Sequence, residues 1–164
     1  MKRTCGTTLV VIAFVALSSV AHSAGQNFSP AFCEFSVTFP NGSKPKDMLS
    51  ATASGAAATG RAGAAGLSAE CWPYENQIPI DTYAQGIASQ IQQRGGTVDN
   101  VSIDRNGKTG PQVVVTSRLK TGTGMYYVKA ISFIGNKSRL DLTVIDKEIA
   151  STAQVDFRSS VKRK

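Results

Sequence analysis

Residues 112–145 read QVVVTSRLKTGTGMYYVKAISFIGNKSRLDLTVI, and their patterning decides the fold class. Three β-rich runs, at 112–120, 125–134 and 139–145, are separated only by Thr121-Gly122-Thr123-Gly124 and Gly135-Asn136-Lys137. Glycine-bearing connections this short join neighbouring strands as hairpins, because a parallel crossover needs about a dozen residues or more. A further run at 98–104 precedes them and turns at Asn106-Gly107-Lys108. The expectation is a four-stranded antiparallel meander.

Two helices flank the meander. Before it, Tyr83, Ala84, Ile87, Ala88 and Ile91 recur at helical spacing, with Gln85, Gln90, Gln92 and Gln93 opposite them. Asp81 reads as the cap of this helix, and Gly95-Gly96 as its stop. After the meander, Asp146 reads as the cap of a second helix. There Ile149, Ala153, Phe157 and Val161 form a stripe expected to dock on the sheet.

Nearer the start, Cys33, Phe35, Val37 and Phe39 alternate with Glu34, Ser36 and Thr38, which is the mark of a half-buried strand. Pro40-Asn41-Gly42 closes it, and Lys44-Pro45-Lys46 reads as more of the turn. Residues 25–30 read as a flexible start. Residues 50–69 are nearly all Ala, Gly, Ser and Thr, so strand register there is poorly specified. The expectation is a weak hairpin or mobile loop, with a return strand at about 67–72. The order strand, weak hairpin, helix, four strands, helix gives an α+β class. It predicts an antiparallel sheet with packed helices, an α/β/α sandwich. A small β-barrel is the rival, and two well-patterned helices weigh against it.

The first residues read as an address. Lys2 and Arg3 precede the apolar run Leu-Val-Val-Ile-Ala-Phe-Val-Ala-Leu at 9–17, and Ala21-His22-Ser23 offers a small-residue cleavage site. Residues 1–23 are therefore read as a signal peptide cut after Ser23 or Ala24, with one domain at 24–164. The run is shorter than the ~20 residues that span a bilayer. Cys5 lies before it, which disfavours lipid attachment. The expected location is periplasmic or secreted.

Cleavage removes His22, the sole histidine, and with it Ser-His-Asp, Cys-His and His-ligated metal chemistry. Loss of Lys2 and Arg3 leaves 16 basic against 11 acidic residues, a net charge of +5. Such a balance suits an anionic partner surface or plain solubility. Nucleic acid is not expected for an exported chain, and the tail Val161-Lys162-Arg163-Lys164 is read as fraying into solvent. Cys33 and Cys71 remain as an even pair. In an oxidising compartment the favoured reading is a disulfide worth ~4 kcal/mol by the loop-entropy relation, with two buried thiols as the alternative.

The start Phe35-Ser36-Val37-Thr38-Phe39-Pro40 with Lys44-Pro45-Lys46 resembles the opening of the PsbP-like fold group. That group includes photosystem extrinsic subunits, a eukaryotic Ran-binding factor and bacterial periplasmic proteins of the DcrB type. Met125-Tyr126-Tyr127, Arg139-Leu140-Asp141-Leu142 and Phe157-Arg158-Ser159-Ser160 resemble its later strands and last helix. The resemblance implies a non-catalytic module that docks on membrane complexes, envelope assemblies or other proteins. It transfers no binding residue. The small-residue segment departs from the group, which has better-formed strands there.

Candidate sites follow from the residues themselves. Trp72, Tyr74 and Tyr83 lie near Cys71 and are candidate anchors of a groove; a lone Trp beside a disulfide is otherwise core. Arg118, Lys120 and Lys129 are a candidate basic patch for an anionic partner. Gly122-Thr123-Gly124 reads as a hairpin turn rather than a phosphate loop. Asp99, Asp104 and Asp141 read as solvated strand-face charges rather than a calcium site. Glu70, Glu75 and Asp81 show no paired-acid spacing. Four Asn-x-Ser patterns begin at Asn27, Asn41, Asn100 and Asn136, and the bacterial look of the leader argues against their use. No cofactor, metal or enzymatic role is indicated. The functional expectation is an exported binding or accessory module acting through protein or envelope contacts. The alternative is a carrier of a small apolar or lipid-like ligand.

Overall fold

The structure, a computed structural model, describes residues 25–40, 44–49, 54–74, 76–148 and 152–164. The expected signal peptide lies outside these residues. The meander forms as read: β6 (Thr97–Asp104), β7 (Gln112–Thr121), β8 (Gly124–Ile134) and β9 (Ser138–Asp146) pair antiparallel in sequence order. Helix α1 (Ile80–Gln93) precedes it. Of the two readings of the small-residue segment, its described residues, from 54 on, take the hairpin and not the mobile loop. It forms β4 (Ser54–Ala62) and β5 (Ala65–Pro73), and β5 joins β9 to extend the sheet. With β3 (Lys44–Leu49) on the free side of β4, the sheet has seven strands in the order β3-β4-β5-β9-β8-β7-β6.

Partners explain why so weak a sequence folds here. The eight-pair register between β5 and β9, from Gly66↔Ile145 to Pro73↔Ser138, fixes what the hairpin alone leaves open. Gly63 takes φ +60° at the hairpin loop, the left-handed conformation that a two-residue turn requires. Gly55 lies opposite Trp72, and a Cβ there would sit 2.5 Å from the indole. Small residues also suit the other layer: Ala56, Ala58, Ala65 and Ala69 share one core with Phe28, Phe35, Phe39 and Phe157. Bulky rings against short side chains fill such an interface without voids.

That second layer is a three-stranded sheet, β1-β2-β10, from β1 (Gln26–Phe28), β2 (Phe35–Phe39) and β10 (Lys162–Arg163). The alternation read in 33–39 holds, with Cys33, Phe35, Val37 and Phe39 all buried. Helix α2 (Thr152–Ser159) lies in the same layer, where Phe157 meets Phe39 edge-on with centroids 4.7 Å apart. Helix α1 covers the opposite face of the large sheet through Ala84, Ile80, Tyr83, Ile87 and Ile91 against Val113 and Val115. The sandwich therefore exists, with one outer layer shared between a helix and a small sheet.

Five local readings are corrected. Residues 25–30 are not a loose start: β1 pairs with β2 over Gln26↔Phe39 to Phe28↔Val37. Lys44-Pro45-Lys46 is strand, not turn, and its place at a sheet edge tolerates the proline. Asp81 does not cap α1, whose N-cap is Pro79; it lies in the first turn and pairs with Arg105 at 2.8 Å. Asp146 ends β9 and accepts hydrogen bonds from the amides of Lys147 (2.7 Å) and Glu148 (3.4 Å), closing a turn instead of opening a helix. Ile149 of the proposed stripe lies outside the described residues. The C-terminal tail does not fray, because β10 pairs with β2 and Val161 is buried.

The cysteine pair is a disulfide, with Cα atoms 6.1 Å apart. It joins the residue two before β2 to the seventh residue of β5, and so ties the two sheets together. Removing residues 161–164 should lower unfolding free energy by at least about 2 kcal/mol, the worth of burying one valine. Urea denaturation of the truncated chain checks this. An unchanged midpoint would show that the tail does not pack.

Candidate binding surfaces

The six candidate residues fall on opposite faces of the large sheet. Alternation along each strand sets this division. On β7, Val113, Val115 and Ser117 face α1, and Gln112, Val114, Thr116, Arg118 and Lys120 face the α2 layer. Lys129 on β8 opposes Thr116 and so shares the α2 side.

On the α1 side, Trp72 and Tyr83 line one open cleft of about 560 Å³, with Glu70, Arg139 and Asp141. Its centre is a closed polar network. The Tyr83 hydroxyl donates to Asp141 Oδ1 at 2.8 Å, and Arg139 Nε donates to Asp141 Oδ2 at 2.9 Å. The Arg139 guanidinium lies over the Tyr83 ring, 5.0 Å from its centroid, and Ser132 Oγ donates to the Tyr83 oxygen at 3.4 Å. Burial, reinforced by the Asp141 charge, pushes the Tyr83 phenol far up, so it remains a donor. Burial works against the Arg139 charge, yet Asp141 and the two tyrosines hold its pKa above the ordinary value. Tyr74 stands beside this group and lines the next depression, with Ile78, Pro79 and Asn136. Burial pushes its phenol up to about 12, with Arg139 opposing and Asp141 adding.

Sequence reasoning placed Trp72 and Tyr83 together but missed Arg139. It also took Asp141 for a solvated charge, whereas Asp141 is bound on both oxygens. A carboxylate accepting from a tyrosine on one oxygen and an arginine on the other positions both. Glu70 faces the same cleft directly across from Asp141 in the β5–β9 register. Glu75 lies outside the described residues. Asp99 is likewise engaged, held by Arg118 at 2.7 Å.

On the α2 side, Arg118, Lys120 and Lys129 do share a face, as read. Arg118 is spoken for by Asp99, so the exposed Lys120 and the half-buried Lys129 carry the uncompensated charge. Lys129 also opens onto a groove of about 720 Å³ between α2, β10 and the sheet. Its rim brings in Lys108 from one part of the chain and Arg158 and Lys162 from its C-terminal end.

One further cluster secures this layer. Glu34 accepts from the amides of Lys137 (2.5 Å) and Ser138 (3.0 Å) and from Arg163 Nη2 at 3.2 Å, while its carbonyl accepts from the amide of Lys164 at 2.8 Å. Burial pushes the carboxyl up, but those donors together outweigh it, and its pKa lies below the ordinary carboxylate value.

With this geometry in place, comparison with known proteins adds one result. No protein-family model matches the chain, and no curated protein matches it. The solution structure of cyanobacterial PsbP (CyanoP) from Synechocystis sp. PCC 6803 does match, with a TM-score of 0.63. The alignment covers 92% of this chain and 99% of that one, at 12% identity. The fold is PsbP-like. At that identity the likeness is one of fold. Among the described residues, no cluster of three or more His, Cys, Asp or Glu is arranged to hold a metal, and no helix is long and apolar enough to cross a membrane.

A carboxyl with a lowered pKa stabilises the fold fully above its unfolded value, about 4.3, and that stabilisation is lost as pH falls through the folded value. Glu34→Gln should therefore cost about 1.5–3 kcal/mol at neutral pH, the worth of hydrogen bonds to a charged group. The gap between the two proteins should close in acid, where Glu34 is itself protonated. Denaturant melts at neutral and acid pH test this, and a gap independent of pH would contradict it.

Proposed function

We propose that this chain is an exported, non-catalytic accessory module that docks on an anionic partner of the cell envelope through the basic face of its large sheet. One observation carries the reading. On the α2 side, Asp99 and Glu34 are already engaged with Arg118 and Arg163, while Lys108, Lys120, Lys129, Arg158 and Lys162 enter none of the ion pairs among the described residues. Charge left uncompensated on one face steers association with a surface of opposite sign.

Three supports come from elsewhere in the molecule. The disulfide suits an oxidising compartment, in line with the leader read at residues 1–23. The polar groups at the centre of the α1 cleft are bound to one another, an arrangement that holds shape and leaves no activated nucleophile. The fold is PsbP-like, and the resemblance to that group, which includes photosystem extrinsic subunits, makes docking the natural analogy, although fold alone does not carry function. The carrier alternative would place an apolar ligand in the α1 cleft, where the Tyr83–Asp141–Arg139 group presents charge instead.

Affinity capture from envelope extracts with the chain lacking residues 1–23 tests the proposal. The captured partner should be released by raised salt and mostly lost from the Lys120→Gln/Lys129→Gln variant. Capture that is indifferent to both salt and the double substitution would contradict docking through this face.

A further inference from the structure

The groove between α2, β10 and the large sheet has a composition that points to a particular ligand chemistry. Lys108, Lys129, Arg158 and Lys162 rim it, and among the described residues none of its lining side chains is acidic. Arg163 also lines it but is committed to Glu34. Phe133 and Val161 close its bottom as buried core residues, and Val155 projects from α2 at the edge as its exposed apolar side chain, with 62% of its surface open. Cations beside an exposed aliphatic side chain match a molecule with an anionic head and an aliphatic body.

The rim is also braced. Gln112 is 94% buried, counting from its 6% exposure, and uses both ends of its amide. Its oxygen accepts from Arg158 Nη2 at 3.0 Å, and its nitrogen donates to Thr109 Oγ1 at 3.1 Å. This chain fixes a surface guanidinium at the groove while leaving its remaining donors available. An arginine that only solubilised a helix would not need a buried amide to orient it. Planar guanidinium donors fit phosphate oxygens in pairs, and lysines beside them act as mobile point charges.

We infer that this groove seats the phosphodiester headgroup of an anionic phospholipid, with the exposed Val155 against the first methylenes. The inference rests on the docking proposal above and names the envelope component that the basic face meets. An acidic protein would be the other class of occupant. The observations favour lipid because an exposed aliphatic side chain, Val155, stands among the cations, where an acidic peptide would leave it unused.

The test uses the chain lacking residues 1–23 and co-sedimentation with phosphatidylcholine vesicles, made with or without phosphatidylglycerol. Binding should require phosphatidylglycerol. Each basic residue near an anionic membrane surface contributes about fivefold in affinity, so Lys108→Gln/Lys162→Gln should weaken binding roughly twenty-five-fold. Arg61→Gln/Arg94→Gln removes the same charge on the opposite, α1 side of the sheet and should weaken it about twofold or less. Circular dichroism of each variant checks that the fold is retained. Equal losses in the two variants would reduce the effect to net charge and overturn the inference. So would soluble glycerol phosphate that competes as well as vesicles do, since the site would then hold a free phosphate. Absence of vesicle binding, with envelope capture still dependent on Lys120 and Lys129, would overturn the lipid inference and leave the docking proposal standing.

Discussion

Strand β2 is attached to the large sheet by one covalent bond, Cys33–Cys71, and the rest of the second layer is arranged around that attachment. β2 is the middle strand of its small sheet, with β1 on one side and β10 on the other. Neither neighbour exceeds three residues. Short strands of this kind do not form a stable sheet alone, so they need β2 to be in place. Once it is, Phe35 and Phe39 meet Phe133 and Phe157 and close the main core. Next to the disulfide, Glu34 gathers the β8–β9 turn and the C-terminal residues onto the same point. Two adjacent residues, one covalent and one ionic in their hold, thus bring both ends of the domain onto the sheet.

The same attachment shapes the binding surfaces. Because the second layer is small, it covers only part of its side of a seven-stranded sheet. The uncovered part of β7 and β8 carries Arg118, Lys120 and Lys129, and the seam beside α2 becomes the basic groove. On the other side α1 sits over β6 and β7, leaving a cleft toward β5 and β9 that the Tyr83–Asp141–Arg139 network fills. Both surfaces are margins left where a small layer meets a wide one.

The sequence was most legible where local pattern and tertiary need agree. The meander boundaries hold to within one residue, and α1 has the apolar face that its spacing predicts. What local pattern could not reveal was pairing at long range. β1, β3 and β10 have no strand-like periodicity of their own and exist because a neighbour offers free hydrogen-bonding groups. The segment of Ala and Gly read as a hairpin at best weak, since its smallness has meaning only against the phenylalanines opposite. The candidate residues show the same limit. Trp72 and Tyr83 were within reach of local reading. Arg139 and Asp141 alternate with leucines as any half-exposed strand charges do, and nothing local marks them as partners of a tyrosine more than fifty residues away. The groove drew on a turn, a strand, a helix and the tail, the last of which read as loose.

Hydrogen exchange on the full domain, oxidised and then reduced, tests the dependence on β2 most directly. With Cys33–Cys71 intact, the β2 amides bonded to β1 and β10 should be protected nearly as well as those of β8 and β9. After reduction they should exchange much faster, along with β10 and the amide of Lys164, while β7, β8 and β9 keep their protection. Fast exchange throughout β2 in the oxidised protein, or no change on reduction, would contradict the account.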